Sequence, residues 1–142
     1  MQPTSIHMAS TSSKLVAKEI GRRKTAVASV HLHTGEGESS VNGKPLGVYF
    51  SGAAAKIALT KPFLVTETEG KYWISVKVLG GGANSQQDAV VLGIAKALTK
   101  VKPSLKTSLR AAGLLTRDSR ERQRRMVGTG GKARRQKQSP KR

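Results

Sequence analysis

Gly80, Gly81 and Gly82 run directly into a helical pattern, and that arrangement can cradle a phosphate. Consecutive glycines let backbone N–H groups approach an anion, and a helix N-terminus adds partial positive charge. A P-loop would need Gly-Lys-Ser/Thr after the glycines, and a dinucleotide fold would need G-x-G-x-x-G; neither follows. The three glycines are therefore expected to form a tight strand-to-helix turn. His31 and His33 have ligand-like spacing on one strand face, but without a nearby carboxylate or Cys they make a poor metal site. Glu36/Glu38 and Glu67/Glu69 sit in turn-like, solvated surroundings, and Asp88 is expected in the first turn of a helix, where it would favour the dipole. No catalytic constellation, metal or cofactor is expected from these residues.

The cations form longer patterns. Arg22, Arg23 and Lys24 stand together in GRRKT, at the entrance of a predicted strand. TRDSRERQRR carries Arg117, Arg120, Arg122, Arg124 and Arg125 and no Lys, which suits bidentate phosphate recognition and stacking on bases. On a helix Arg117, Arg120 and Arg124 would share one side, with Asp118 available as a cap or counter-charge. No apolar stripe fixes such a helix, so a partner would have to order it. VGTGGKARR then mixes glycines with Lys132, Arg134 and Arg135, and KARRQKQSPKR closes the chain with six Lys or Arg, no acid and nothing to pack.

Across 142 residues there are 26 Lys and Arg against 8 Asp and Glu, a formal charge of +18. Such a chain repels itself unless a polyanion neutralises it, and nucleic acid is the natural partner. The charge is uneven: residues 110–142 hold twelve basic and two acidic residues, the first 109 fourteen and six. An acidic membrane surface fits less well, because the basic stretch has no apolar helix face, and no apolar run is long enough to span a bilayer. The opening MQPTSIHMASTSSK has neither the charged start nor the apolar stretch of a secretory signal. Zero Cys excludes disulfides, thiolate zinc sites and thiol catalysis.

The elements that would position these groups are legible between Ile20 and Leu115. TAVASVHLH alternates, placing Ala26, Ala28, Val30 and Leu32 on a core face and Val27, Ser29, His31 and His33 on the other. VNGKPL brings a short strand piece, an Asn-Gly turn and Pro45 to open a short helix. SGAAAKIAL reads as a helix closed before Pro62. FLVTETEGKYWISVKVL reads as a hairpin turning at Glu-Gly-Lys, with Tyr72, Ile74, Val76 and Val78 inward. The longest helix follows the glycines, with Val90, Ile94, Ala97, Leu98 and Val101 at helical spacing and Asn84 or Ser85 as cap. A second helix, PSLKTSLRAA, begins near Pro103, stops before Gly113 and turns Leu105, Leu109 and Ala112 inward. The pattern predicts an α+β domain, a small mixed sheet covered by helices, over residues 20–115. A disordered extension would precede it over 1–19, and a basic tail ordered by RNA would follow over 116–142.

GRRKTAVA, VNGKPL with YF, GGGANSQQDAVVLGIAKAL, AGLLTRDSR and the KARR tail ending in Lys-Arg occur in one order and at one spacing. In this the chain resembles the family of the ninth protein of the small ribosomal subunit, in its bacterial or organellar form, over Gly21 to Arg142. The resemblance implies a four-stranded sheet with packed helices and a left-handed βαβ crossover, like the second domain of the fifth small-subunit protein. It implies a place in the subunit head, among neighbouring ribosomal proteins, bound to small-subunit ribosomal RNA, with a tail running toward the peptidyl-site tRNA. Arg22, Arg23, Lys24, Arg117, Arg120, Arg124, Arg125, Lys132, Arg134 and Arg135 then become ribosomal-RNA contacts, and Lys141 and Arg142 the contacts to tRNA. The chain departs from the family in ending Gln138-Ser139-Pro140-Lys141-Arg142, without the usual aromatic before Ser-Lys-Arg, and in carrying Ser119 where Pro is usual.

Two other readings share the charge and fold class. A small-molecule kinase of the same superfamily would need a Gly-Ser-rich phosphate loop, a general base and a substrate pocket, for which this core is too short. The protein of a tRNA-processing ribonucleoprotein fits the charge but does not account for TRDSRERQRR joined to a long tail.

Overall fold

The structure is a computed structural model, and it describes residues 13–131. Its first element is a strand absent from the alternation reading: β1, Leu15–Arg23, pairs antiparallel with β2, Ala26–Thr34. Among the described residues the first strand therefore begins at Leu15, ahead of the expected Ile20, and residues 1–12 of the expected extension lie outside the described residues. Mixed residues hide this strand, because its outer positions carry Lys18, Ile20 and Arg22 while its inner positions carry Ala17, Glu19, Gly21 and Arg23. Its inner face mixes small Ala17 and Gly21 with charged Glu19 and Arg23, and hydropathy alternation does not register it.

β2 behaves as expected, with Ala26, Ala28, Val30 and Leu32 fully buried. β5, Tyr72–Leu79, lies antiparallel to it, burying Ile74, Val76 and Val78. Between them in sequence come β3, Ser40–Val41, and β4, Lys44–Pro45, joined by Asn42 and Gly43 at φ 51° and 81°. Both angles positive is the turn that Asn-Gly favours, since it matches the twist of the flanking strands. The Asn42 side chain does more than turn: its Oδ1 accepts from the Val78 N–H at 2.9 Å and its Nδ2 donates to the Val78 carbonyl at 3.1 Å. The sheet runs β1-β2-β5-β3-β4, with β3 parallel to β5. It is mixed, as expected, but has five strands rather than four.

Two helices intervene before β5: α1, Leu46–Tyr49, and α2, Ala53–Val65. The hairpin expected over FLVTETEGKYWISVKVL is not formed, because Phe63–Val65 is the last turn of α2. Pro62 does not stop that helix, although a Pro in a helix interior costs about 3 kcal/mol. Leu59 and Pro62 are buried on the same side of α2, and this packing carries the helix one turn further. Thr66 closes it, donating from its hydroxyl to the Pro62 carbonyl at 2.9 Å.

α3, Ala83–Val101, lies across β1 and β2. The contact is close enough to exclude side chains: a Cβ on Gly21 would overlap the Ala89 carbonyl, and one on Gly93 would come within 2.6 Å of Val30. Val90, Ile94, Ala97 and Leu98 are fully buried beneath the helix. A 3₁₀ turn, Pro103–Leu105, leads into α4, Lys106–Ala111, which buries Leu109 and ends before Gly113 at φ 75°. Leu114 and Leu115 are the last residues to pack on the core. α2 sits against α3 and α4, so these helices lie on one side of the sheet, and among the described residues no helix covers the other face.

Candidate nucleic-acid interface

The glycines before α3 do make the tight turn. Gly80 and Gly81 take φ 73° and 65° and press on Thr25 and Ala26, where a Cβ on Gly80 would approach the Thr25 carbonyl to 2.6 Å. Gly82 is the N-cap, so Asn84 and Ser85 lie inside the first turn and neither caps it. Gln86 links the turn instead, donating from Nε2 to the Gly80 carbonyl at 2.9 Å and accepting from the Tyr49 hydroxyl at 2.7 Å. Asp88 falls in the second turn, beyond the first-turn position expected for it.

His31 and His33 point to the open sheet face, where His33 stacks on Trp73 with ring centroids 4.2 Å apart and planes at 14°. Gly37 closes over the same indole. Desolvation, followed by the neighbouring His31, holds the His33 imidazole below the usual histidine range. No cluster of three or more His, Cys, Asp or Glu with metal-site geometry occurs among the described residues. Glu36, Glu38, Glu67 and Glu69 are all exposed.

The cations of GRRKT do not act as one block. Strand alternation sends Arg22 outward beside Val27, sets Lys24 in the β1–β2 turn at φ 52°, and turns Arg23 inward beside Ala26. Arg22 joins Lys18, Lys96, Lys100 and Arg117 along a groove at the free edge of β1. From α3, Lys96 donates to the Ile20 carbonyl at 3.3 Å and Lys100 to the Lys18 carbonyl at 3.5 Å. The lysines thereby occupy the unpaired acceptors of an edge strand, which blocks edge-to-edge pairing with another sheet. The groove's one carboxylate, Glu19, lies 3.4 Å from Lys100. Sequence reasoning missed Lys18, Lys96 and Lys100 because they are scattered over two elements. Only the register of β1 against α3 gathers them.

Arg23 has different company. Its side chain is only 12% exposed; it lies 3.4 Å from Asp118 and 3.8 Å from Asp88, and it donates to the Asp118 and Arg120 carbonyls. Asp118 receives Arg120 as a fork, Nε and Nη2 meeting its two oxygens at 3.0 and 2.9 Å, and accepts the Arg120 backbone N–H at 3.0 Å. These bonds, led by the Arg120 side chain, hold the Asp118 carboxyl far below the usual carboxylate range and push the Arg120 guanidinium up. Asp118 is thus the counter-charge anticipated for it, in a segment that takes no helical form: residues 116–126 are irregular. Arg117, Arg120, Arg122 and Arg124 are exposed, whereas Arg125 is half-buried inside the loop that closes over residues 122–131. Lys132, Arg134, Arg135, Lys141 and Arg142 lie outside the described residues.

These features define a compact α+β domain with a basic edge and an exposed arginine-rich segment leaving it. The sequence model of the family described as "Ribosomal protein S9/S16" matches residues 21–142. A relative, "Small ribosomal subunit protein uS9" of Dehalococcoides mccartyi, is 44% identical over 109 residues, covering 77% of this chain and 83% of its own. The chain belongs to this ribosomal protein family, and with it to the non-enzymatic, structural proteins of the small ribosomal subunit. No helix among the described residues is long and apolar enough to cross a membrane.

Proposed function

We propose that this protein binds small-subunit ribosomal RNA in the subunit head, and that its C-terminal tail runs toward the peptidyl-site tRNA during translation. The observation that carries the RNA reading is the cationic groove at the β1 edge: five Lys or Arg, from β1, α3 and the segment after α4, facing solvent around a single carboxylate. Arg22 and Arg117 are the phosphate contacts of the domain, with Lys24 in the adjoining turn. Arg120, Arg124, Arg125, Lys132, Arg134 and Arg135 extend the contact along residues 116–142, which RNA orders beyond the base of the segment by neutralising their charge. Lys141 and Arg142 deliver the last two charges to the tRNA. The groove has the chemistry for a phosphate backbone, because Lys and Arg displace condensed counterions and the released ions drive binding. We also infer kinship with the second domain of the fifth small-subunit protein, with a left-handed crossover. The parallel pairing of β3 and β5 across α1 and α2 supports it.

Titration of the full-length protein with small-subunit ribosomal RNA fragments at several salt concentrations tests the RNA reading. Each phosphate contact removed lowers the slope of log affinity against log salt by roughly 0.7 to 0.9. Arg22→Gln and Arg117→Gln should each do so. Affinity independent of salt would refute the proposal.

A further inference from the structure

We infer that Arg23 is a positioning residue that clamps the base of the basic tail to the domain and so fixes the direction in which the tail leaves it. This goes beyond the RNA-binding reading, although the clamp's use in binding rests on that reading.

The described residues after Leu115 form no helix or strand, and the core stops at Leu114 and Leu115. An unsupported polycation would leave such a point in any direction, and holding one direction costs backbone entropy at every ordered residue. Arg23 supplies what the segment lacks. It comes from the last position of β1, anchored by its pairing with Ala26, and enters a recess that Arg22 borders and that Asp88 and Leu92 of α3, Gly113, Leu114 and Thr116 line. From there its guanidinium meets the Asp118 carboxylate and the carbonyls of Asp118 and Arg120. Asp88, on the second turn of α3, approaches the same group. One side chain therefore ties strand, helix and tail together across more than ninety residues of sequence.

A planar guanidinium suits this task because its five donors form a rigid fork, which a Lys ammonium lacks. The geometry also explains the acid at 118 among the arginines. Asp118 collects Arg120 as well as Arg23, drawing two cations that would otherwise repel onto one carboxylate. Arg22 and Arg23 are neighbours in sequence and opposite in purpose: one faces the outer groove, the other holds the tail.

The chain contains no Cys, so paired labelling sites can be introduced cleanly. Thr107→Cys on α4 and Gln123→Cys in the tail, both exposed, carry spin labels in the full-length protein without RNA. Pulsed electron resonance should give one narrow distance distribution. Arg23→Gln and, from the tail side, Asp118→Asn should each widen it at least twofold, Arg23→Lys should restore it only in part, and Arg22→Gln should leave it unchanged. Thermal unfolding checks that each variant retains the domain; if Arg23→Gln does not fold, Asp118→Asn, at a half-buried position outside the core, decides alone. A distribution unmoved by Asp118→Asn, or widened equally by Arg22→Gln, overturns the inference. With RNA, Arg23→Gln should weaken binding several-fold at every salt concentration while keeping the salt slope, whereas loss of a phosphate contact lowers the slope by roughly 0.7 to 0.9. A lowered slope with an unmoved distance distribution would make Arg23 an RNA contact instead. Because the distances are measured without RNA, failure of the RNA reading would leave them untouched.

Discussion

At the scale of single residues, identical side chains do different work according to the face they occupy. His33 is held against Trp73 under the loop at Gly37, and its imidazole resists protonation because burial disfavours the charged form and His31 adds like charge. The unfolded chain takes up that proton with an ordinary pKa of about 6.5. Stability from this group is therefore complete above that value and declines as pH falls through it toward the lower folded-state pKa. Melting temperatures measured from pH 7.5 to 5 should fall, and His33→Phe, which keeps a ring on Trp73, should lessen the fall. An identical decline in the variant would assign it to other groups. Arg22 and Arg23 make the same point with charge, since a one-residue step along β1 takes a guanidinium from open solvent to a 12% exposed recess.

At the scale of elements, the placement of α3 decides the rest. Gly21 and Gly93 let the helix lie directly on β1 and β2, and that approach brings Lys96 and Lys100 within reach of the β1 carbonyls. Gly21→Ala must move backbone, because the added methyl would meet the Ala89 carbonyl. It should lose about 3 kcal/mol, the upper part of the usual overpacking range, in urea unfolding. Gly47→Ala in α1 meets nothing within 4 Å and should be neutral or stabilising by about 0.5 to 1 kcal/mol. Equal losses in the two variants would contradict the close-contact account. The helix after the glycines and β2 were legible in the sequence because their apolar periods are strong. β1 and the last turn of α2 were not: β1 faces α3 with Ala and Gly, and Pro62 is a stop signal that burial overrode.

At the scale of the whole molecule, charge dominates. If six to ten phosphates are contacted, affinity for ribosomal RNA should fall about 10³ to 10⁵-fold between roughly 50 and 200 mM salt, as filter binding or fluorescence titration would register. The last residues are a separate matter. Deleting Lys141 and Arg142 should leave subunit assembly intact and weaken peptidyl-site tRNA retention by about 1 to 3 kcal/mol, the range for charge-assisted hydrogen bonds. Unchanged tRNA dissociation from subunits carrying the deletion would remove the tip from the mechanism.

Composition alone set the class of partner, because a net charge of +18 carried on a chain without Cys or a catalytic set leaves a polyanion as the ligand. Order and spacing of the motifs set the family. What the sequence could not assign was the work of each cation, for charge is a property of a residue, while contact belongs to a pair brought together by folding. Only the register of β1 with β2, and the seat of α3 on both, gathers Lys18, Arg22, Lys96 and Lys100 at one edge, where Arg117 joins them from the segment after α4. The same register turns Arg23 away from them, toward Asp118 and the start of the tail.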